Sequence, residues 1–172
     1  MQMKKVLFYP LTVVLLFHPS MGRADEESPQ AEPRQSTASF IRELHDKPRA
    51  DFSDALRIIQ TLQQNKDTAA KFEACRLFLM DKNVIPRSWT YRKDSPITQS
   101  MVAYMVCNTL KIEGGVTMRL FGNSERYAMR ECIHIGLITD AKPKQYVTGK
   151  ELLAIFSRAE LYKKNGDLES LK

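Results

Sequence analysis

Lys142, Lys144 and Lys150 crowd around Thr148 and Glu151 in one short stretch of this chain. Thr148 with Glu151 three residues on, just ahead of an apolar run, spells a capping box, in which each side chain takes up a backbone N–H of the first helical turn. The remaining N–H groups, the positive end of the helix dipole and a lysine together suit an anionic substituent on a sugar polymer. The same pattern has a plainer reading, with Thr148 and Glu151 as caps alone and the lysines solvated. Trp89 and Arg92, with Arg87, Tyr91 and Lys93 beside them, form a second candidate. An aromatic ring there stacks on a sugar face while guanidinium and ammonium groups hold an anion. Its alternative is a Trp89 folded down as a cover on the core. Arg119, Arg126 and Arg130 make a third basic cluster, read as pairing with Glu113, Glu125 and Glu131.

Nothing in the sequence marks a reaction centre. There is no nucleophile turn of the Gly-x-Ser-x-Gly type, no glycine-rich phosphate loop, and no pair of carboxylates set apart as acid and base. No catalytic residue is therefore assigned, and a non-enzymatic role is expected. Cys132 and His134 lack two further ligands at workable spacing, so neither a metal nor another cofactor is expected. Cys75, Cys107 and Cys132 all fall in expected helices, on or near apolar faces. In an oxidising compartment one pair can bridge two helices and leave one thiol over; equally, all three can pack as small buried thiols. The pairing stays open at this level.

The chain starts with the form of an export signal. Lys4 and Lys5 precede an apolar run over residues 6–17, and Gly22 and Ala24 supply small residues for cleavage before Asp25. The run is broken by Pro10 and is short for a bilayer, so no stable transmembrane segment is expected after cleavage. The whole chain carries 26 basic and 20 acidic side chains, net +6. Subtracting the leader's Lys4, Lys5 and Arg23 leaves 23 against 20, net +3, too mild to argue for nucleic acid. Residues 25–51, rich in Glu, Ser, Gln and Pro, read as a flexible tail or linker, in which a short helix from Phe40 to Leu44 is open but marginal on its own. About 148 residues follow the leader, room for one domain of modest core, placed at 52–162 with a C-terminal tail over 163–172.

Helical spacing of Phe52, Ala55, Leu56, Ile59 and Leu62 predicts a first helix over 53–64, capped by Ser53 or Asp51. Four more helices are predicted over 68–82, 98–110, 124–135 and 148–162. Asn83 and Gly136 suit the left-handed residue that stops a helix, and each is followed by an apolar pair, Val84-Ile85 and Leu137-Ile138. Residues 116–121 read as either a short strand or a helical turn. The fold class is thus mainly α, with two helix-loop-helix units of roughly 40 residues, over 68–112 and 124–162, that bury their apolar faces by stacking.

These residues resemble the S-layer homology family, whose repeats run helix, glycine with an apolar pair, loop, and a second helix introduced by apolar-Thr-Arg-Ala-Glu. The second copy here carries Gly136-Leu137-Ile138 and then Val147-Thr148-Gly149-Lys150-Glu151; the first carries Asn83-Val84-Ile85 and then Ile97-Thr98-Gln99-Ser100-Met101. The resemblance implies a pseudo-threefold bundle of three repeats, attached without covalent bonds to an anionic wall polysaccharide. Two repeats are visible in the sequence, with the 53–64 helix as a remnant of a third, and the motif's basic residue is absent at Gln99 and Ser100.

The expected function is an exported module, in the periplasm or at the cell surface, binding a cell-wall polysaccharide or peptidoglycan-linked polymer. The residues assigned to binding are Lys142, Lys144, Thr148, Lys150 and Glu151, with Trp89 and Arg92. The alternative is an adaptor that binds another envelope protein, or itself, through an apolar face. A third reading has chains of two repeats assemble into oligomers to complete a threefold arrangement.

Overall fold

The computed structural model describes residues 36–140 and 144–166. The expected leader, the start of the tail, Lys142 and the last six residues lie outside them. The fold is mainly helical, with no named strand among the described residues. Its helices are α1 (Thr37–Asp46), α2 (Phe52–Gln64), α3 (Phe72–Asp81), α4 (Gln99–Leu110), α5 (Val116–Phe121), α6 (Glu125–His134) and α7 (Gly149–Asn165).

The plan is threefold. Helices α2, α4 and α7 each pack against the other two and make the centre, while α3 lies on α2, α6 on α4 and α1 on α7. Each outer helix therefore packs on the central helix before it in the chain, and α1 closes the circle onto the last. Beside the two helix-loop-helix units legible in the sequence, α1 supplies a third outer helix and α2 a third central one within the same chain.

What joins the arms is backbone pairing at the starts of the central helices. Ala50, Ile97 and Val147 are fully buried, and each stands one residue before an N-cap. They form a closed circle: Ala50 N–H donates to Val147 O (2.8 Å), Val147 N–H to Ile97 O (2.9 Å) and Ile97 N–H to Ala50 O (3.3 Å). A second set runs the other way, from Phe52 N–H to Ser95 O (2.8 Å), Gln99 N–H to Gln145 O (3.3 Å) and Gly149 N–H to Lys47 O (3.0 Å). Buried N–H and C=O groups need such partners, and here each arm satisfies its neighbour's. Antiparallel bridges result at Asp51–Pro96 and Thr98–Tyr146.

Side-chain caps then set the helices off from this circle. Asp51 forms a capping box with Asp54, Thr98 accepts from Met101 N–H, and Thr148 forms a capping box with Glu151. The expected stops hold: Asn83 and Gly136 are left-handed, with φ of 56° and 83°. The Val84-Ile85 and Leu137-Ile138 pairs are buried behind them. α3 starts at Phe72, later than residue 68, because Ala69 at φ 46° is outside the helical region. Residues 116–121 form a helical turn, α5.

Part of each expected tail belongs to the folded domain. From Ser36 onward the chain is part of the domain, and the stretch 36–51 is not a free tail: Phe40 and Leu44 of α1 are buried, as is Ala50. Two apolar residues at i, i+4 make a marginal helix alone, and burial against α7 is what fixes it. At the other end α7 continues to Asn165, and the Lys163 ammonium donates to Leu62 O and Asn65 Oδ1 at the end of α2.

A buried ion pair clamps α1 and α2 from the side. The Arg57 guanidinium meets Asp67 at 2.7 Å, with side chains 12% and 5% exposed. Thr37 Oγ1 donates to the same carboxylate, and Arg57 lies 3.9 Å from the Phe40 ring centre. Arg57 beside it, against the opposing effect of burial, holds the Asp67 carboxyl at about 2, below its ordinary 3.8. A depressed carboxyl stabilises the fold fully above its unfolded value and loses that contribution as pH falls through the folded one. Asp67→Asn is therefore expected to lose about 2 kcal/mol at pH 7 and almost nothing near pH 2. Urea titrations of both proteins across that range check it, and an equal loss at both pH values contradicts it.

Candidate functional site

The two sets of candidate residues end up in different places. Thr148 and Glu151 are committed to capping: Thr148 N–H donates to Glu151 Oε2 (2.8 Å) and Glu151 N–H to Thr148 Oγ1 (3.2 Å). Gly149 N–H, the first of the helix, is taken by Lys47 O. The start of α7 is also covered, since Gly149 is buried against Leu44 of α1. The N–H groups of Thr148, Gly149 and Glu151 are thus taken up within the fold rather than turned to solvent. Lys144 and Lys150 are exposed, and Lys142 lies outside the described residues. A small cavity of about 100 Å³ does open beside this helix, lined by Gln99, Asp140, Glu151 and Arg158. Gln99 Nε2 spans it to Asp140 O (3.0 Å), and Arg158 donates to Leu137 O (3.2 Å).

The second set builds a wider groove between α3 and the loop before α4. Trp89 is buried, not presented: its ring packs on Phe52, Tyr91 and Tyr104 with centroids 6.1, 5.7 and 5.5 Å away. Its role is therefore the core cover that the sequence left as an alternative. Tyr91, 38% exposed, is the ring that reaches solvent, and it rests on Phe52 at 5.4 Å. Around it Phe72, Arg76, Arg92, Lys93 and Asp94 line a cavity of about 320 Å³. Arg76 is fixed by a bond to Trp89 O (3.0 Å), while Arg92 is 83% exposed and pairs with Asp94 at 3.1 Å. Exposed pairs of that kind contribute little and exchange readily for another anion. Three cations stand here against Glu73 and Asp94, so the groove carries a positive balance.

Phe72 and Arg76 were missed in the sequence. Their i, i+4 spacing on α3 was a legible signal, but it said nothing of which loop they face. A further cluster was missed as well. Lys47 Nζ bonds Asp51 (2.9 Å) and Asp54 (2.7 Å), so two carboxylates share one ammonium at the start of α2. Burial pushes the Asp54 carboxyl up, and Lys47 offsets that incompletely. For Asp51 burial acts in the same direction, but the Lys47 bond and the Asp54 N–H outweigh it, leaving the carboxyl below its ordinary range.

No family model, curated protein or solved structure matches the chain. The functional reading therefore rests on the chain's own geometry. Among the described residues no helix is long and apolar enough to cross a membrane. The third basic cluster is partly as expected, with Arg119 bonded to Glu113 at 2.9 Å on the surface.

Proposed function

We propose that this chain is an exported, non-catalytic module of the S-layer homology type that binds an anionic polymer of the cell envelope, a wall polysaccharide or peptidoglycan-linked chain. The observation that carries the ligand is the α3 groove, where the exposed Tyr91 ring stands among Arg76, Arg92 and Lys93 in a cavity of about 320 Å³. A ring face suits a sugar's C–H surface, and guanidinium groups suit its carboxylate or phosphate substituents. The threefold plan supports the family resemblance, which implies such a bundle. The groove on α3 replaces the α7 start as the favoured site, because the first N–H of α7 has gone to Lys47 O.

Co-sedimentation of the exported form with isolated sacculi and extracted polymers tests this. Tyr91→Ala and Arg92→Ala should each weaken binding by about tenfold, and raised salt should weaken it further. Lys150→Ala should leave it within about twofold. Loss of binding in Lys150→Ala alone would return the site to the α7 start. The adaptor reading draws on Leu77, Val116 and Leu120, which are 65%, 74% and 72% exposed. Capture of one protein, insensitive to wall polymer and lost on Leu120→Asp, would favour it.

A further inference from the structure

The interface of α4 with α6 holds two thiols that no function has yet claimed. Cys107 on α4 and Cys132 on α6 are 1% and 0% exposed, and their sulfurs are 3.6 Å apart. Their surroundings are reciprocal. Cys107 Sγ lies 3.8 Å from Ala128 O on α6, and Cys132 Sγ lies 3.8 Å from Ala103 O on α4. Ala103 and Ala128, each one turn before a cysteine, are fully buried, and these small residues let the two backbones come close. The 3.6 Å separation is sulfur-to-sulfur contact, roughly 1.6 Å longer than a disulfide bond of about 2.0 Å. Cys75 sits elsewhere, on α3, with its Sγ directed to Ala70 O (3.5 Å).

We infer that oxidation joins Cys107 to Cys132 in a disulfide that ties α4 to α6, and leaves Cys75 a thiol. The oxidant is a disulfide of another thiol compound or protein. One thiolate attacks it and releases a first thiol; the second cysteine attacks the mixed disulfide and releases another. The two cysteines lose two protons and two electrons, and the oxidant's disulfide takes them up as two thiols. Both thiols are closed off from solvent, and the Cys107 neighbour, with burial added, holds the Cys132 thiol far above its ordinary range, so an outside disulfide reaches them slowly once the chain is folded. Bond formation therefore belongs to folding, before α6 closes on α4. The inference does not depend on the polymer ligand; in the cell it rests on the proposed export, and the test below supplies the oxidant directly.

The test refolds the reduced, unfolded full chain in a buffer of glutathione and its disulfide, then alkylates free thiols after denaturation. The expected product has one alkylated cysteine, Cys75, and a proteolytic fragment in which Cys107 and Cys132 are linked. Cys75→Ala should keep the link, and Cys132→Ser should remove it and leave Cys107 free. Oxidation should raise Tm by about 10 °C over the reduced chain. Three alkylated cysteines, a link through Cys75, or glutathione adducts at Cys107 and Cys132 would overturn it.

Discussion

Gly149→Ala is expected to release α1 from the domain and to destabilise the fold by about 3 kcal/mol. A Cβ at position 149 would lie 1.6 Å from Leu44 O and 2.7 Å from Leu44 C, both backbone atoms that no rotamer can move aside. On helix propensity alone the change should help by about 1 kcal/mol, so its sign separates the two effects. The clash must be relieved by moving the end of α1, and with it go the bond from Gly149 N–H to Lys47 O and the burial of Phe40 and Leu44. Urea unfolding gives the size of the loss, and amide exchange over residues 37–46 shows where it falls. Unchanged protection there, or a more stable protein, would contradict the role assigned to this glycine. In the motif of the proposed family a basic residue follows the threonine; here Gly149 has that place, and the end of α1 fills the room.

Phe52→Ala is expected to have a still larger effect, about 4 kcal/mol. The Phe52 ring is fully buried at the start of α2, edge-on to Phe72 at 6.1 Å and to Trp89 at 6.1 Å, with Tyr91 resting on it. Its loss opens a cavity and also removes the support under the groove's exposed ring. Phe52→Leu should lose about 1.5 kcal/mol or less, since it keeps most of the volume. Both values come from urea titrations followed by Trp89 fluorescence. For Phe52→Leu, polymer binding at a concentration where the variant is fully folded should fall less than for Tyr91→Ala. Wild-type stability in Phe52→Ala would mean that this cluster is not the packed centre described.

The parts of the fold that follow local rules were legible. Helical spacing found α2, α4, α6 and α7, and the requirement for a left-handed stop found Asn83 and Gly136. The Thr148–Glu151 capping box formed as its sequence spells. What escaped was non-local. Ala50, Ile97 and Val147 are single residues ahead of their caps, with no periodicity to announce that they pair in a circle. α1 showed in the sequence only as a marginal turn from Phe40 to Leu44, because the partners that fix it are distant: Arg57 of α2 over the Phe40 ring, and α7, whose Gly149 packs on Leu44 more than a hundred residues on. The stacking of each outer helix on the central helix before it is likewise invisible to any reading confined to one unit.

The candidate site divides along the same line. The Trp89 to Lys93 segment stood out by residue type, but whether Trp89 or Tyr91 faces water depends on Phe52 and Tyr104, contributed by α2 and α4. The helix start at Thr148 and Gly149 looked open because the chain that occupies it comes from residues 44–47. A helix start read in isolation has free N–H groups; in the fold its neighbours use them.

The most direct measurement is an NMR titration of the ¹⁵N-labelled chain from Asp25 onward with acidic fragments of wall polysaccharide. The account predicts saturable shifts concentrated at residues 72–76 and 90–94, weakened by salt, with residues 144–151 nearly still. Shifts centred on 144–151 with the α3 groove silent, or none at all at saturating polymer, would contradict it.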